Sequence, residues 1–207
     1  MDPTPILVTG FEPFGGETIN ASWEAARRLD GRRCGDWVAV ARLLPCAYDA
    51  CVAEFVAALE RLRPGAVLMT GQAAGRGVIC VERFARNVDS ASAPDNRGVV
   101  RRVAANAAAR PERLEATAPV GAIARAIRAA GLEARVSVNA GGFVCNHLYF
   151  GALKILRAET PPMQAVFLHL PATPKQRLPR ASPRRLASAD AARALQAAAS
   201  ALCSAND

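Results

Sequence analysis

The 207-residue sequence has few of the residues that metal sites and membrane segments require. It contains two histidines, and its six cysteines are scattered without C-x-x-C spacing. No ligand cluster typical of structural zinc is therefore visible. No stretch approaches the ~18 apolar residues of a membrane-spanning helix. We expect no metal site, no bound cofactor and no contact with a membrane.

Aromatic residues are also scarce, at 5% of the chain, although the net charge is +8. The basic residues are concentrated in segments 96–102 and 174–185, whose charge alone would suit a nucleic-acid contact. Proteins that bind single strands interleave aromatic side chains with basic ones, and no aromatic residue lies in either segment. We therefore interpret both segments as solvated loops and expect no nucleic-acid partner.

The N-terminal segment MDPTPILVTGFEPFGG lacks the basic start and the long apolar run of a secretory signal peptide. Scattered cysteines in a chain without an export signal are typical of free thiols in a reducing compartment, so we expect a cytoplasmic protein. Glycine-rich segments occur, but none matches G-x-x-x-x-G-K-[ST], and no G-x-G-x-x-G follows a strand. Nucleotide binding has little support.

Short apolar segments alternate along the chain with segments of helical periodicity. We expect strands at 6–10, 37–44, 66–71, 77–87, 134–139 and 164–171, and helices at 20–29, 47–62, 118–131, 188–202 and from Cys145 onward. Asn20 or Ser22 would cap the first helix, Ser188 would cap the last, and residues 88–117 would form a long loop. The alternation predicts a single-domain α/β/α sandwich over residues 1–207, with a mainly parallel twisted central sheet flanked by helices.

A thiol, Cys145, lies where a strand-like stretch and two glycines lead into an amphipathic helix. The helix dipole and the free N–H groups at such a position stabilise a thiolate and lower the pKa of the thiol. This placement makes Cys145 a candidate nucleophile.

A nucleophilic thiol needs a base, and the base needs an orienting partner. His169 ends a predicted strand, where parallel sheets present functional groups, whereas His147 projects to a different face of the Cys145 helix. We favour His169 as the base, with a structural core histidine as the alternative, and expect a structural role for His147. Glu82, in an apolar strand-like run, is a candidate orienting carboxylate. Its alternatives are an exposed strand residue or a salt bridge to a nearby arginine.

Five segments between residue 8 and about residue 176 resemble the pyroglutamyl peptidase I family of cysteine peptidases. They are VTGFEPFGGETINASWEAARRL, LLPCAY, GQAAGRGVICVERFARNVDSASAPDNRG, AGGFVCNHLYFGAL and FLHLPATPKQ. The resemblance implies a catalytic triad of Glu82, Cys145 and His169. It also implies a substrate pocket for a lactam ring, formed by Phe11, Phe14, Gly71, Gln72, Phe143 and Val144.

The resemblance further implies an omega-peptidase that hydrolyses the amide bond after an N-terminal pyroglutamyl residue through a thioacyl-enzyme. Its partners would be peptides with N-terminal pyroglutamate, and it could form a homo-oligomer, since family members are often tetramers. Two alternatives remain: a divergent amidase of the same fold acting on another small cyclic or acylated amide, or a catalytically weak binding protein.

The sequence departs from the family at three positions. Where the family usually reads D-A-R-I-P-D-N, Ser92 replaces the arginine and Ala93 the isoleucine, and Gly142 stands where threonine is frequent. Serine cannot supply the charge or the reach of a guanidinium. We therefore expect a slow or weakly binding peptidase, unless Arg86 or Arg97 supplies the missing group.

Overall fold

A seven-stranded sheet lies at the centre of the computed structural model, which describes residues 3–102, 111–177 and 183–204. The strands are β1 (Thr4–Phe11), β2 (Arg33–Cys34), β3 (Trp37–Leu44), β4 (Ala66–Gln72), β5 (Ile79–Glu82), β6 (Phe84–Arg86), β7 (Arg113–Glu115), β8 (Ala134–Ser137) and β9 (Gln164–Leu170). The helices are α1 (Ala21–Ala26), α2 (Ala50–Leu62), α3 (Val120–Ala129), α4 (Val144–Leu156) and α5 (Ser188–Cys203).

The strand order in the sheet is β2-β3-β1-β4-β9-β5-β8, and β6 pairs with β7 in a separate two-stranded sheet. Strand β1 is parallel to β3 and β4, β4 is parallel to β9, and β5 is parallel to β8. The predicted mainly parallel sheet is confirmed. Two pairs run the other way: β2 is antiparallel to β3, and β5 is antiparallel to β9.

Helices cover both faces of the sheet, which confirms the three-layer architecture. Helices α1, α3 and α5 pack on one face in a cluster that includes Ile6 and Val8 of β1. Helices α2 and α4 pack on the other face in a cluster that includes Leu7 and Phe11 of the same strand. Side chains alternate along a strand, so β1 contributes residues to both hydrophobic clusters, as expected for a parallel strand buried on both faces.

The local predictions are corrected at two places. The predicted strand at 77–87 is divided into β5 and β6, and β7 lies inside the segment predicted as a loop; residues 103–110 of that segment lie outside the described ranges. Of the two residues predicted as possible caps of α1, Asn20 is the N-cap: its side chain accepts a hydrogen bond from the Ser22 amide. Ser188 is instead the first residue of α5, and its predicted capping role is wrong because Ala187 holds the N-cap position.

The start of α1 lies directly on the end of β1. A Cβ atom added to Gly10 would lie 2.7 Å from the Trp23 Cα and 2.8 Å from its nitrogen. The Phe11 amide also donates to Ser22 Oγ at 3.0 Å. Only a residue without a side chain permits this approach, so Gly10 fixes how closely the helix layer meets the sheet.

We expect Gly10→Ala to destabilise the fold by about 1–3 kcal/mol, the usual cost of overpacking, because backbone atoms of α1 would have to move. Urea denaturation measures this as a lower midpoint. The matched control is Gly121→Ala in α3, where the nearest atom to an added Cβ is Arg125 Nη1 at 3.6 Å. The control should be neutral or stabilising, since alanine is the better helix former. Equal midpoints for the two variants would contradict the steric argument.

Candidate active site

Cross-strand pairing places the candidate base and carboxylate on one face of the sheet. His169 of β9 lies opposite Gly71 of β4, and Phe167 of β9 lies opposite Glu82 of β5. Positions directly opposite or two residues apart along a strand face the same way. His169 and Glu82 therefore lie on the same face of neighbouring strands, which is the face that packs against α4.

A hydrogen bond joins the two side chains. His169 Nδ1 lies 2.9 Å from Glu82 Oε1, and the residues are 4% and 0% exposed. A carboxylate only accepts hydrogen bonds, so Nδ1 is the protonated nitrogen and Nε2 carries the lone pair. Of the alternatives for Glu82, the exposed strand residue is wrong, because the side chain is fully buried.

Cys145 is the second residue of α4, in the first turn, where the sequence predicts it. Its Sγ atom lies against β4, because a Cβ added to Gly71 would be 2.7 Å from this sulfur and 2.8 Å from Phe167 Cζ. Gly71 is itself the cross-strand neighbour of His169. The thiol thus reaches the strand position beside the imidazole, and glycine leaves the space for it.

Burial dominates the protonation of this pair. Packing around Cys145 raises the pKa of its thiol well above the usual value, with smaller contributions from neighbouring thiols and from Glu82, while Arg76 opposes the shift. Burial likewise lowers the pKa of His169, although Glu82 acts in the opposite direction. The lowered thiol pKa expected from the helix start is therefore wrong: desolvation outweighs the helix dipole. Near neutral pH the thiol and the imidazole are both uncharged.

Glu82 stays ionised although it is buried. Burial raises the pKa of its carboxyl group, but the hydrogen bond and charge of His169, a hydrogen bond from Ser137 and the charge of Arg76 outweigh this effect, so the pKa is lowered overall. Arg76 Nη1 donates to the same Oε1 atom that His169 contacts. Arg76 follows β4 in the segment GQAAGRG. The sequence analysis had offered a salt bridge between Glu82 and a nearby arginine as an alternative to the bond with a histidine. The structure contains both interactions.

Three aromatic rings form a wall beside Cys145. The Phe14 and Phe143 ring centroids are 6.0 Å apart, and Tyr48 meets Phe143 edge to face at 5.8 Å. Phe143 is the N-cap residue of α4, so this wall is continuous with the turn that holds the thiol. Phe14 and Phe143 were predicted site residues. Tyr48 was not predicted as a site residue. It lies in the family-like segment LLPCAY, to which the sequence analysis assigned no role.

The other predicted pocket residues lie deeper. Phe11 and Val144 are 1% and 0% exposed and belong to the apolar core behind the rings. Gln72 is buried, and its Oε1 accepts a hydrogen bond from the Ala21 amide at 2.8 Å, which ties the end of β4 to α1. Gln72 therefore has a structural hydrogen bond to the start of α1. Its role in the substrate pocket stays a prediction.

The segment that departs from the family pattern is held at both ends: the Ser90 amide donates to the Gly142 carbonyl, and Asp95 accepts from the Tyr48 amide. Ser92 and Ala93 are exposed, and so are Arg86 and Arg97. The guanidinium that contacts the wall belongs to Arg101. The Arg101 Cζ atom lies 4.6 Å from the Tyr48 ring centroid. Its Nη2 group donates to Asp49, and its Nη1 group donates to Asp89 at 2.9 Å.

His147 belongs to the same polar group. Its Nδ1 atom lies 3.0 Å from Asp89 Oδ2, and the Asp49 amide lies 3.3 Å from its Nε2 atom. These contacts join the start of α2 to the segment after β6. They fit the structural role that the sequence analysis assigned to His147.

Within residues 3–102, 111–177 and 183–204, no group of three or more His, Cys, Asp or Glu side chains could hold a metal ion. The helices in these ranges are too short or too polar to cross a membrane. Part of the basic segment 174–185, residues 178–182, lies outside the described ranges. In the described part, Arg184 pairs with Glu133, and Arg185 donates to the Gln176 carbonyl at 2.7 Å.

Comparison with known proteins gives a consistent result. The profile of the pyroglutamyl peptidase family matches residues 4–205. A pyrrolidone-carboxylate peptidase of Chromobacterium violaceum is 48% identical over 174 residues, which are 83% of this chain and 79% of that protein. One from Cupriavidus taiwanensis is 46% identical over 172 residues, covering 83% and 80%.

Solved structures agree with the sequence matches. The pyroglutamyl peptidase I of Bacillus amyloliquefaciens superposes with a TM-score of 0.92 at 34% identity, covering 97% of this chain and 95% of that one. A mutant pyrrolidone carboxyl peptidase of Pyrococcus furiosus gives 0.93 at 28% identity, covering 99% and 100%. With a family profile matched over nearly its whole length and relatives close to half identical, this chain belongs to the pyroglutamyl peptidase family of cysteine peptidases.

Proposed function

We propose that this protein releases N-terminal pyroglutamate from peptides, with Cys145 as nucleophile, His169 as general base and Glu82 as the orienting carboxylate. The observation that carries the assignment is the placement of the Cys145 sulfur against Gly71, the cross-strand neighbour of His169, whose imidazole is bonded to Glu82. Family membership supplies the reaction class. The geometry supports the roles of the individual residues.

The reaction would proceed by proton transfer coupled to attack. The Cys145 proton moves to His169 Nε2 as Sγ bonds to the pyroglutamyl carbonyl carbon. The imidazolium then protonates the leaving amine, the C–N bond breaks, and a thioacyl-enzyme remains. Water attacks this thioester with His169 again as base, which frees pyroglutamate and restores the thiol. Glu82 stabilises the imidazolium in both steps.

The substrate's ring is a flat, neutral lactam, which aromatic faces and backbone hydrogen bonds can recognise. Phe14 and Phe143 would contact the ring, and a pocket that pairs its N–H and C=O penalises analogues that leave these groups unpaired. Backbone N–H groups in the first turn of α4 would stabilise the oxyanion. Ser92 and Ala93 are exposed and short, so these backbone donors would act without the family's arginine.

We also propose the wider setting that the sequence suggests: a single domain of this family over residues 1–207, a cytoplasmic location and assembly into a homo-oligomer. None of the six cysteines, all of which lie in the described ranges, forms a disulfide, which suits a reducing compartment. The family profile matched over residues 4–205 supports the single domain.

Replacing the nucleophile tests the assignment directly. We expect Cys145→Ala to remove all measurable hydrolysis of a chromogenic pyroglutamyl amide. The control Cys34→Ala should keep most of it, because that thiol lies on the edge strand β2 and bonds Ser200 of α5. Iodoacetamide should inactivate the wild type with the label on Cys145 by peptide mass spectrometry, because His169 Nε2 can take the thiol proton as the sulfur attacks. Turnover by Cys145→Ala would refute the mechanism. A folded wild type without turnover would favour the divergent amidase or the binding protein.

The space at Gly71 gives a second test. In Gly71→Ala the new methyl group would meet Cys145 Sγ and Phe167, so the sulfur must move away from its place beside His169. A displacement of this size typically costs about 10²-fold in rate, and we expect kcat to fall by this order. The control is Gly75→Ala, where an added Cβ has nothing within 4 Å. Near-equal kcat for the two variants would show that the sulfur position is not critical.

The pH profile follows from the direction of the His169 shift. The base acts as neutral imidazole, and burial lowers the pKa of His169, so the acid midpoint of kcat/KM should lie below the usual histidine value of 6.5. In Glu82→Gln the acid midpoint should move to still lower pH, because the carboxylate no longer raises the pKa of His169. An acid midpoint above the usual histidine value in the wild type would contradict a buried neutral base.

A further inference from the structure

Arg76 connects the candidate base pair to the rest of the site. Its guanidinium donates to Glu82 Oε1 through Nη1 and to the Asn139 carbonyl through Nη2, at 2.6 Å for the second bond. Ser137 Oγ lies 3.4 Å from Nη1. The Arg76 side chain is 21% exposed, and that of Glu82 is 0% exposed. A planar guanidinium can hold two acceptors in fixed directions, so the two bonds constrain each other.

The Asn139 carbonyl belongs to the short loop between β8 and α4, residues 138–143, which leads to the nucleophile. The Asn139 side chain accepts from the Gly141 amide at 3.0 Å, and the Gly142 carbonyl accepts from the Ser90 amide at 2.7 Å. A Cβ on Gly142 would lie 2.7 Å from the Ser90 carbonyl oxygen, so this end of the loop is tightly packed. Arg76 therefore bonds to the carboxylate on one side and to the segment that positions the Cys145 helix on the other.

Other charged and titratable groups share this face and bear on any pH effect. Arg135 Nε lies 3.5 Å from Sγ of Cys80 on β5, which is two residues before Glu82 and faces the same side of the sheet. The charge of Arg76 lowers the pKa values of both His169 and Cys145. The groups to be considered with Arg76 are Cys80, Glu82, Arg135, Cys145 and His169.

We propose that Arg76 is a positioning residue of this enzyme: it holds Glu82 against His169 and fixes the loop 138–143, so that base and nucleophile are aligned by one side chain. The proposal rests on the function proposed above. A buried ion pair is weak grounds for stability, since apolar replacements of such pairs are often neutral or stabilising. Arg76 bonds both to Glu82 and to the loop that leads to Cys145. Alignment of these two parts of the site is therefore a better explanation of the Arg76–Glu82 pair than stability.

The test compares Arg76→Met and Arg76→Lys with the control Arg135→Met. In Arg76→Met we expect kcat for a pyroglutamyl amide to fall about 10²-fold, the typical cost of misaligned reacting groups, with little change in KM. The acid midpoint of kcat/KM should move to higher pH, because the charge that lowers the pKa of His169 is gone. Arg135→Met removes another charge on this face, one that bonds Cys80, and it should keep the wild-type kcat.

Arg76→Lys separates charge from alignment. A lysine keeps the positive charge, so the acid midpoint should stay at its wild-type position. One ammonium group cannot reproduce the fixed two-bond geometry, so kcat should lie between those of the wild type and Arg76→Met. Wild-type kcat in Arg76→Lys would overturn the proposal, and this variant decides the question if Arg76→Met fails to fold.

The rate of Cys145 alkylation by iodoacetamide, measured against pH, gives a readout without substrate. In Arg76→Met the profile should shift to higher pH, because the pKa values of the thiol and the imidazole both rise. A shift together with absent turnover in a folded wild type would refute the proposed function while leaving the effect of Arg76 on the pair intact. Wild-type kcat and an unshifted profile in Arg76→Met would overturn the inference. The inference would also be overturned if the activity of Arg76→Met fell only in proportion to the fraction of protein that is unfolded.

Discussion

The hydrogen bond between Glu82 and His169 is the interaction on which the rest of the site depends. A carboxylate without exposure is costly unless it is paired and hydrogen-bonded, and here His169 and Arg76 both donate to one oxygen. The bond also requires an exact register between β5 and β9. A slip by one residue would turn Glu82 toward α3 and α5 on the opposite face, and the site would be lost. The sheet is thus part of the site's chemistry, because its pairing sets the distance between the two side chains.

Burial explains why this cysteine differs from one at an exposed helix start. A helix N-terminus stabilises a negative charge by typically 0.3–1 kcal/mol, or up to about 2 kcal/mol in favourable geometry. Desolvation acts in the opposite direction and is the largest influence on this thiol. It raises the pKa of Cys145 well above its usual value, so Cys145 rests as a thiol. In the proposed mechanism its proton leaves during attack, so the position of the His169 lone pair is decisive for that mechanism.

Arg101 supports the aromatic wall on the Tyr48 side. It stacks on Tyr48 while bonding Asp49 and Asp89. Tyr48 in turn packs on Phe143, the N-cap residue of α4. The arginine therefore helps to hold the ring that contacts the start of the Cys145 helix.

Local sequence patterns were enough to predict the alternation of strands and helices and the position of Cys145 in the first turn of a helix, and they favoured His169 over His147 as the candidate base. These follow from local rules of periodicity, helix ends and strand ends, which act over a few residues. The same rules made Glu82 a candidate, and the family motifs strengthened it and added the ring pocket. The tertiary structure decided the antiparallel pairing of β5, the bonds of Arg76 to Glu82 and Asn139, the contact of Arg101 with Tyr48, and the raised pKa of Cys145. Each of these depends on which distant segments become neighbours and on how much water they exclude. Orientation, contact and desolvation are properties of the packed chain, and no local pattern encodes them.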